Sequence, residues 1–451
     1  MRLRKNRVFA LGAMVTTTAM LTAGCLSGGD DGGGGGDGGS ATGGGTTDGD
    51  GVVEILGAFG GVEQDSFEEE MEAWAEESGI EIQYTGTQDF QTIITSKVRS
   101  GDTPDIAIYP QPGTLIQMAE DGDVAAVDDY ADAGQIEDAM IPGLMDAGKT
   151  EDGTAYAVPM RVAVKSNVFV PREFWEQGGY PEEPGTIQEL IEISDKIKGE
   201  GTAPWCIGYG SDAATGWVGT DWIEEYMLRL HGPEVYDQWV TNELPFDSPE
   251  VQEAFDAYAE IVKGEGYVRG GARAIINTPF AESFNPAFED PPKCILHRQG
   301  NFITGFLPDD IQQNLDDEVH VFYFPPYEGG YDGSPVLGGG DLAASFNSDD
   351  EDTTAVLEFL SGQEFGTNNW AADGGWLSPR SDFDTSLYPD ETTRQVGQIA
   401  AEADVFRFDA SDLMPTEVGG GTFWSGMVEW TQGGKTTEEV TQDIQESWPA
   451  G

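Results

Sequence analysis

The segment Val52-Val53-Glu54-Ile55-Leu56-Gly57-Ala58, together with the stretch running on to Pro104-Asp105-Ile106-Ala107-Ile108-Tyr109, decides the fold class. Val52–Ala58 is a short apolar run and reads as a strand. Glu63–Ser78 carries Phe67, Met71 and Trp74 at spacings of four and three, which places them on one helical face. Ile80–Tyr84 reads as a second strand and Phe90–Arg99 as a second helix. Pro104–Tyr109 is a third strand, closed by the turn Pro110-Gln111-Pro112-Gly113. Repeated β-α-β units of this length imply an α/β fold with a mostly parallel sheet covered by helices. Downstream the pattern is mainly helical, over Ile187–Ile197, Trp222–Leu230, Pro249–Val262, Asp350–Leu360, Glu391–Ala400 and Thr437–Trp448, with no internal repeat. About 400 residues exceed what one core organises, so two lobes are expected.

Upstream, Met1–Arg7 holds Arg2, Arg4, Lys5 and Arg7, and Val8–Gly24 is uncharged and mostly apolar. At roughly 17 residues that run sits at the lower edge of the length that spans a bilayer. Small residues close it just before a cysteine, as in a cleaved export signal. Leu21-Thr22-Ala23-Gly24-Cys25 resembles a lipobox, which implies lipidation at Cys25 and a leader over 1–25. Residues 26–50 are glycine mixed with Ser, Thr, Ala and Asp; with almost nothing to bury, they read as a flexible tether. A folded part held at the outer face of the membrane suits capture, adhesion or surface hydrolysis.

The chain has 82 Asp+Glu against 22 Lys+Arg, a net charge of −60, and loss of the basic leader makes it more negative still. In dilute buffer such self-repulsion opposes compaction. Molar salt shortens the Debye length to about 3 Å or less and removes most of that penalty. The composition therefore reads as adaptation to brine. With 38% hydrophobic residues, 11 Trp and 22 Phe there is material for a substantial core, so the acidity is not that of a disordered chain. Nucleic acid is excluded as a partner by sign.

Once Cys25 is assigned to lipid, Cys206 and Cys294 remain, and in an oxidising compartment they are expected to pair. No CxxC or HExxH occurs, and His231, His297 and His320 are scattered, so neither a metal nor a cofactor is expected.

Several stretches together resemble the extracellular solute-binding proteins of carbohydrate-uptake ABC transporters, and within them the α-glucoside-binding subgroup. They are Gly60-Gly61-Val62-Glu63, Gly101-Asp102-Thr103-Pro104-Asp105-Ile106, Thr215-Gly216-Trp217 and Thr220-Asp221-Trp222. Further on come Cys294-Ile295-Leu296-His297-Arg298-Gln299, Gly338-Gly339-Gly340-Asp341, Asp373-Gly374-Gly375-Trp376-Leu377-Ser378-Pro379-Arg380, Met414-Pro415 and Phe423-Trp424. With the lipobox and the acidity, the resemblance is to a haloarchaeal-type lipoprotein. It implies a periplasmic-binding-protein-like fold whose two α/β lobes close on ligand about a hinge. Lobe one would be 51–162 with 323–374, and lobe two 163–322 with 375–451, so that Cys206 and Cys294 share lobe two. The implied partners are a sugar and the membrane subunits of an ABC permease, with the membrane reached through the lipid.

A pyranose offers apolar C–H faces and a rim of hydroxyls, so it calls for aromatic platforms and planar carboxylates, amides or arginine in a partly dry cleft. Loops at the carboxyl ends of strands are the place for them. Glu63 follows the first strand and Gln111 the third; Glu63 also reads as a helix N-terminal charge, and Gln111 as a proline-fixed loop residue. Trp222 with Asp221 reads as platform plus acceptor at a helix start, or as core; Trp217, three residues after Ala214, reads as a further ring for the ligand, or as core or crossing-loop packing. Gln299 follows the Ile295–Arg298 strand. Asp341 follows three glycines, which allow close backbone approach or a hinge turn. Trp376 sits in a Gly-Gly-Trp turn, and Arg380 suits hydroxyls or an inter-lobe carboxylate. Trp424, after Gly419–Gly421, matches the place where sugar-binding relatives carry a stacking tryptophan. Trp424 and Trp376 lead this set.

A tethered glycoside hydrolase would need two carboxylates about 5 Å or 6.5–9.5 Å apart, and among 82 acids no pair stands out. An adhesin would show all-β repeats, which are absent from the sequence. A binding protein for a different sugar, a polyol or a sugar phosphate remains the main alternative, with phosphate disfavoured by the negative field.

Overall fold

The computed structural model describes residue 49 and residues 51–449. The leader, Cys25 and nearly all of the tether lie outside the described residues. No helix among those described is long and apolar enough to cross a membrane.

Strand β1 (Val52–Gly57) leads into helix α1 (Val62–Ser78), β2 (Glu81–Gly86) into α2 (Phe90–Ser100), and β3 (Ile106–Tyr109) into α3 (Pro112–Asp121). The face read from α1 packs as expected: Phe67 and Met71 are buried, and the Phe67 ring meets Phe59, Tyr84 and Trp370. Helix α2 ends where Gly101 takes φ 70°, a left-handed conformation that costs a side-chain-bearing residue more.

The remaining strands are β4 (Val158–Val164), β5 (Asn167–Pro171), β6 (His297–Arg298), β7 (Val319–Tyr323), β8 (Pro335–Ser345) and β9 (Val405–Phe408). One sheet has the order β2-β1-β3-β8-β4 with β9 on β8, and the other the order β6-β5-β7. The expected parallel pairing holds for β2-β1-β3 and for β9 on β8. Strand β8 inserts antiparallel between β3 and β4, and the smaller sheet is antiparallel throughout. Only Lys165 and Ser166 separate β4 from β5, so a nearly continuous extended run carries the chain from one sheet to the other.

Buried apolar residues form two clusters. One surrounds the larger sheet and includes Val53, Ile106, Phe67, Trp370 and Trp376. The other is built on Trp222, Tyr226, Tyr258, Trp239 and Trp430. Two sheets, two cores and strands running between them make a two-lobe α/β architecture. The helix expected at Trp222–Leu230 is longer, Trp217–Val240, and is broken where Gly232 precedes Pro233. Cys206 and Cys294 are joined in a disulfide with Cα atoms 5.3 Å apart.

Candidate ligand-binding site

Strands β4 and β8 pair antiparallel, with Arg161 opposite Asp341 and Ala163 opposite Gly339. Alternate side chains of a strand share a face, so Arg161 and Ala163 point the same way, and Lys165 continues the series just past β4. With Gly339 and Asp341 they form the floor of a cavity of about 220 Å³. The centre of that floor is small, and its two ends are charged.

At one end Arg161 donates from Nε to Asp341 Oδ2 (2.5 Å) and from Nη1 to Glu63 Oε1 (2.7 Å), with its guanidinium 4.7 Å from the Phe59 ring centre. At the other end Lys165 Nζ donates to Asp221 Oδ1 (3.0 Å) and to Asp409, and lies 5.2 Å from the Trp217 ring centre. Burial works against both positive charges, but the flanking carboxylates outweigh it and raise both groups above their usual range. Asp409 accepts further from Ser411 N (3.1 Å) and Ser411 Oγ (2.9 Å), and Glu224 Oε1 accepts from the same Ser411 N (3.0 Å). Burial would raise the Asp409 carboxyl, but Lys165 and its hydrogen bonds hold it below the ordinary carboxylate range. Burial pushes Asp221 up to about 8 against the pull of Lys165, and it raises Glu224 and Asp412 with help from Asp409. Asp221, Glu224 and Asp409 offer oxygens within 4.8 Å of one another, and the Lys165 ammonium bridges Asp221 and Asp409. Behind them Arg298 pairs with Glu225 (2.9 Å) and reaches Asp221 (3.6 Å).

Aromatic rings form the walls. Trp217 donates from Nε1 to Ser211 Oγ (2.8 Å) and packs edge-on to Phe280. Trp424 donates to Ser411 Oγ at 3.4 Å and begins a helix entered through a π-helical turn, Glu417–Phe423. That wide turn presses Gly419 against the Ser411 carbonyl, where a Cβ would lie 1.8 Å away.

Gln111, the residue before α3, lines the same cavity as Asp412. Alongside it runs a polar seam. A Cβ on Gly113 would fall 2.2 Å from the Met414 carbonyl oxygen, and Thr416 Oγ1 bonds Thr114 Oγ1 (2.8 Å) and Gln117 Oε1 (2.9 Å).

Glu63, Gln111, Trp217, Asp341 and Trp424 thus line one cavity, and Asp221 stands directly behind it on Lys165. The other four candidates lie elsewhere. Trp222 is core, stacked 4.9 Å from Tyr258. Trp376 is core, between Trp370, Phe365 and Phe383. Gln299 is buried, with Oε1 accepting from Gly300 N. Arg380 is taken up by Asp382 and the Ser361 carbonyl. Among the lining residues that sequence reasoning passed over are Arg161, Lys165, Asp409 and Asp412. The first two had a signal, being charges two positions either side of Ala163 in an otherwise apolar extended run.

The pattern of the bacterial extracellular solute-binding proteins matches residues 60–367. The chain belongs to that family. The chain is 41% identical over 399 residues to the osmoprotective compounds-binding protein GgtB of Synechocystis, covering 88% of this chain and 92% of that one. It is 36% identical over 404 residues to the alpha-glucosides-binding periplasmic protein AglE of Rhizobium meliloti, covering 87% and 86%. Among solved structures, a protein from work on xylan utilization by Caldanaerobius polysaccharolyticus superposes with a TM-score of 0.75 at 20% identity, covering 88% of this chain and 99% of that one. Maltose-bound MalE3 of T. maritima superposes at 0.66 with 17% identity, covering 88% and 98%. These structures share the two-lobe fold. By its family the chain is a solute-binding component of an uptake system, a receptor and not an enzyme.

Proposed function

We propose that this solute-binding protein is anchored by lipid at Cys25 to the outer face of the membrane of a salt-adapted cell, where it captures a neutral sugar of the α-glucoside type and delivers it to the permease. The observation that carries the reading is the cavity itself: Trp217 and Trp424 on the walls over a floor of carboxylates held by Arg161 and Lys165. Indole faces suit the C–H face of a pyranose, and cation-held carboxylates accept from its hydroxyls through charge-assisted bonds. The similarity to AglE supports an α-glucoside as the ligand. The lobes are proposed as 51–162 with 323–374 and 163–322 with 375–451, closing about the strands between them.

The test is titration of the exported domain in molar KCl with methyl α-D-glucopyranoside, maltose and trehalose. Bound ligand at 100-fold above its dissociation constant should stabilise the fold by about 2.7 kcal/mol, and chromatography should return the sugar intact. Turnover of the glycoside, or no stabilisation by any of the three, refutes the reading. A second reading, an osmoprotective compound such as a polyol or sugar derivative, is favoured by the 41% identity to GgtB together with the net charge of −60. Stabilisation by such polyols in place of the glucosides would establish it.

A further inference from the structure

We propose that Asp341 and Asp409 are specificity-determining residues that make this cleft select an uncharged ligand over an anionic one of the same shape. The inference rests on the sugar-capture reading and deepens it. Among the described residues that line the cavity, the only basic ones are Arg161 and Lys165, and both are already engaged by carboxylates: Arg161 by Asp341 and Glu63, Lys165 by Asp409 and Asp221. Each cation thus serves two acids, and neither offers an uncommitted positive charge to an incoming anion. Asp341 and Asp409 are nearly fully buried. Each holds its cation through one oxygen, Oδ2, Asp409 Oδ1 accepting also from Ser411, and as carboxylates both accept hydrogen bonds without donating them. A ligand hydroxyl satisfies such a group. A ligand carboxylate or phosphate meets like charge at short range, or has to displace an acid from its cation.

The setting gives this arrangement its purpose. A chain with net charge −60 would ordinarily repel anions at a distance, but in molar salt that field decays within about 3 Å. Discrimination by charge then has to act at contact range and inside the protein, where screening is weakest. The two carboxylates at opposite ends of the β4–β8 floor are placed to do so.

The experiment compares methyl α-D-glucopyranoside with methyl α-D-glucuronopyranoside, which replaces one CH₂OH by a carboxylate, by calorimetry in molar KCl at neutral pH. In the wild-type protein the glucuronide should bind about a hundredfold more weakly or worse, the scale of a like-charge contact. Asp341→Asn keeps the shape, removes one charge and half-frees Arg161; Asp409→Asn does the same beside Lys165. Each should narrow the glucoside-to-glucuronide ratio at least tenfold while weakening the glucoside itself. Exposed Glu68→Gln is the control and should leave the ratio unchanged. A residue with a merely structural role would weaken both ligands alike. The inference is overturned if the wild type binds both ligands equally well, or if the ratio survives in both Asn variants with their melting intact. The wild-type comparison stands even if a variant does not fold. If the wild type binds neither ligand, the sugar-capture reading fails, and this inference falls with it.

Discussion

Trp376 and Trp424 occupy opposite kinds of environment. The Trp376 ring lies inside the first hydrophobic cluster, 6.0 Å from Trp370 and 5.8 Å from Phe365, and Gly366 presses so close that a Cβ there would fall 2.3 Å from the indole. Trp424 is nearly as well covered, but it lines the cavity, with its Nε1 on Ser411. Both come after glycines. Before Trp376, Gly375 at φ 75° turns the chain so that the ring drops into the core; before Trp424, the glycines widen a helix and present the ring to the cleft. Glycine framing signals that a backbone does something unusual, and only the packing beyond it tells which way the side chain then goes.

The largest effect sets the condition for every comparison of these two regions. Diluting salt from molar to ~0.1 M restores repulsion among the 82 acids, so wild type and variants alike should lose melting temperature steeply. An unchanged melting temperature would remove the brine argument. In molar salt, Trp376→Ala should cost about 3–5 kcal/mol of stability, with the glycoside affinity of the folded fraction unchanged. Replacing Cys206 and Cys294 by serine should act in the same sense as the core change, lowering stability by about 2–4 kcal/mol and sparing affinity, as denaturant melts and calorimetry would report. Trp424→Ala should do the reverse. Losing roughly 60–80 Å² of sugar-face burial at ~25 cal/mol/Å² weakens binding by about 1.5–2 kcal/mol, tenfold or more, at a smaller cost in stability than Trp376→Ala. If it unfolds the domain yet leaves affinity intact, Trp424 belongs with Trp376. The smallest effect is expected for Trp217→Phe, which keeps an aromatic face and loses one hydrogen bond to Ser211; affinity should fall less than tenfold, by roughly 1 kcal/mol.

The opening β-α-β units were legible because Phe67 and Met71 mark a single helix face and Ile106–Tyr109 is uniformly apolar. Strand β8 was not, since Gly338-Gly339-Gly340 reads as a turn and becomes a strand only through pairing with β3 and β4, residues far away in the chain. The same non-local cause hid half of the site. Asp409 and Asp412 sit in a short helical turn with nothing locally distinctive, and what sets them apart is Lys165, 244 positions from Asp409 in sequence. Trp222 misled for the converse reason: Asp221 beside it does serve the site, while the indole, on another side of the same helix, stacks on Tyr258. A helix start shared by neighbouring residues does not give their side chains a common destination.

The seam between α3 and Met414–Thr416 bears on how long a captured molecule stays. It is joined by the bare backbone of Gly113 against a carbonyl and by hydroxyl and amide bonds among Thr114, Gln117 and Thr416. Groups of this kind exchange one another for water at a net cost of about 1 kcal/mol each, so these polar contacts hold the two segments together only modestly. Were the cleft to open along this seam, residence time would be set chiefly by the guest's own contacts with rings and carboxylates.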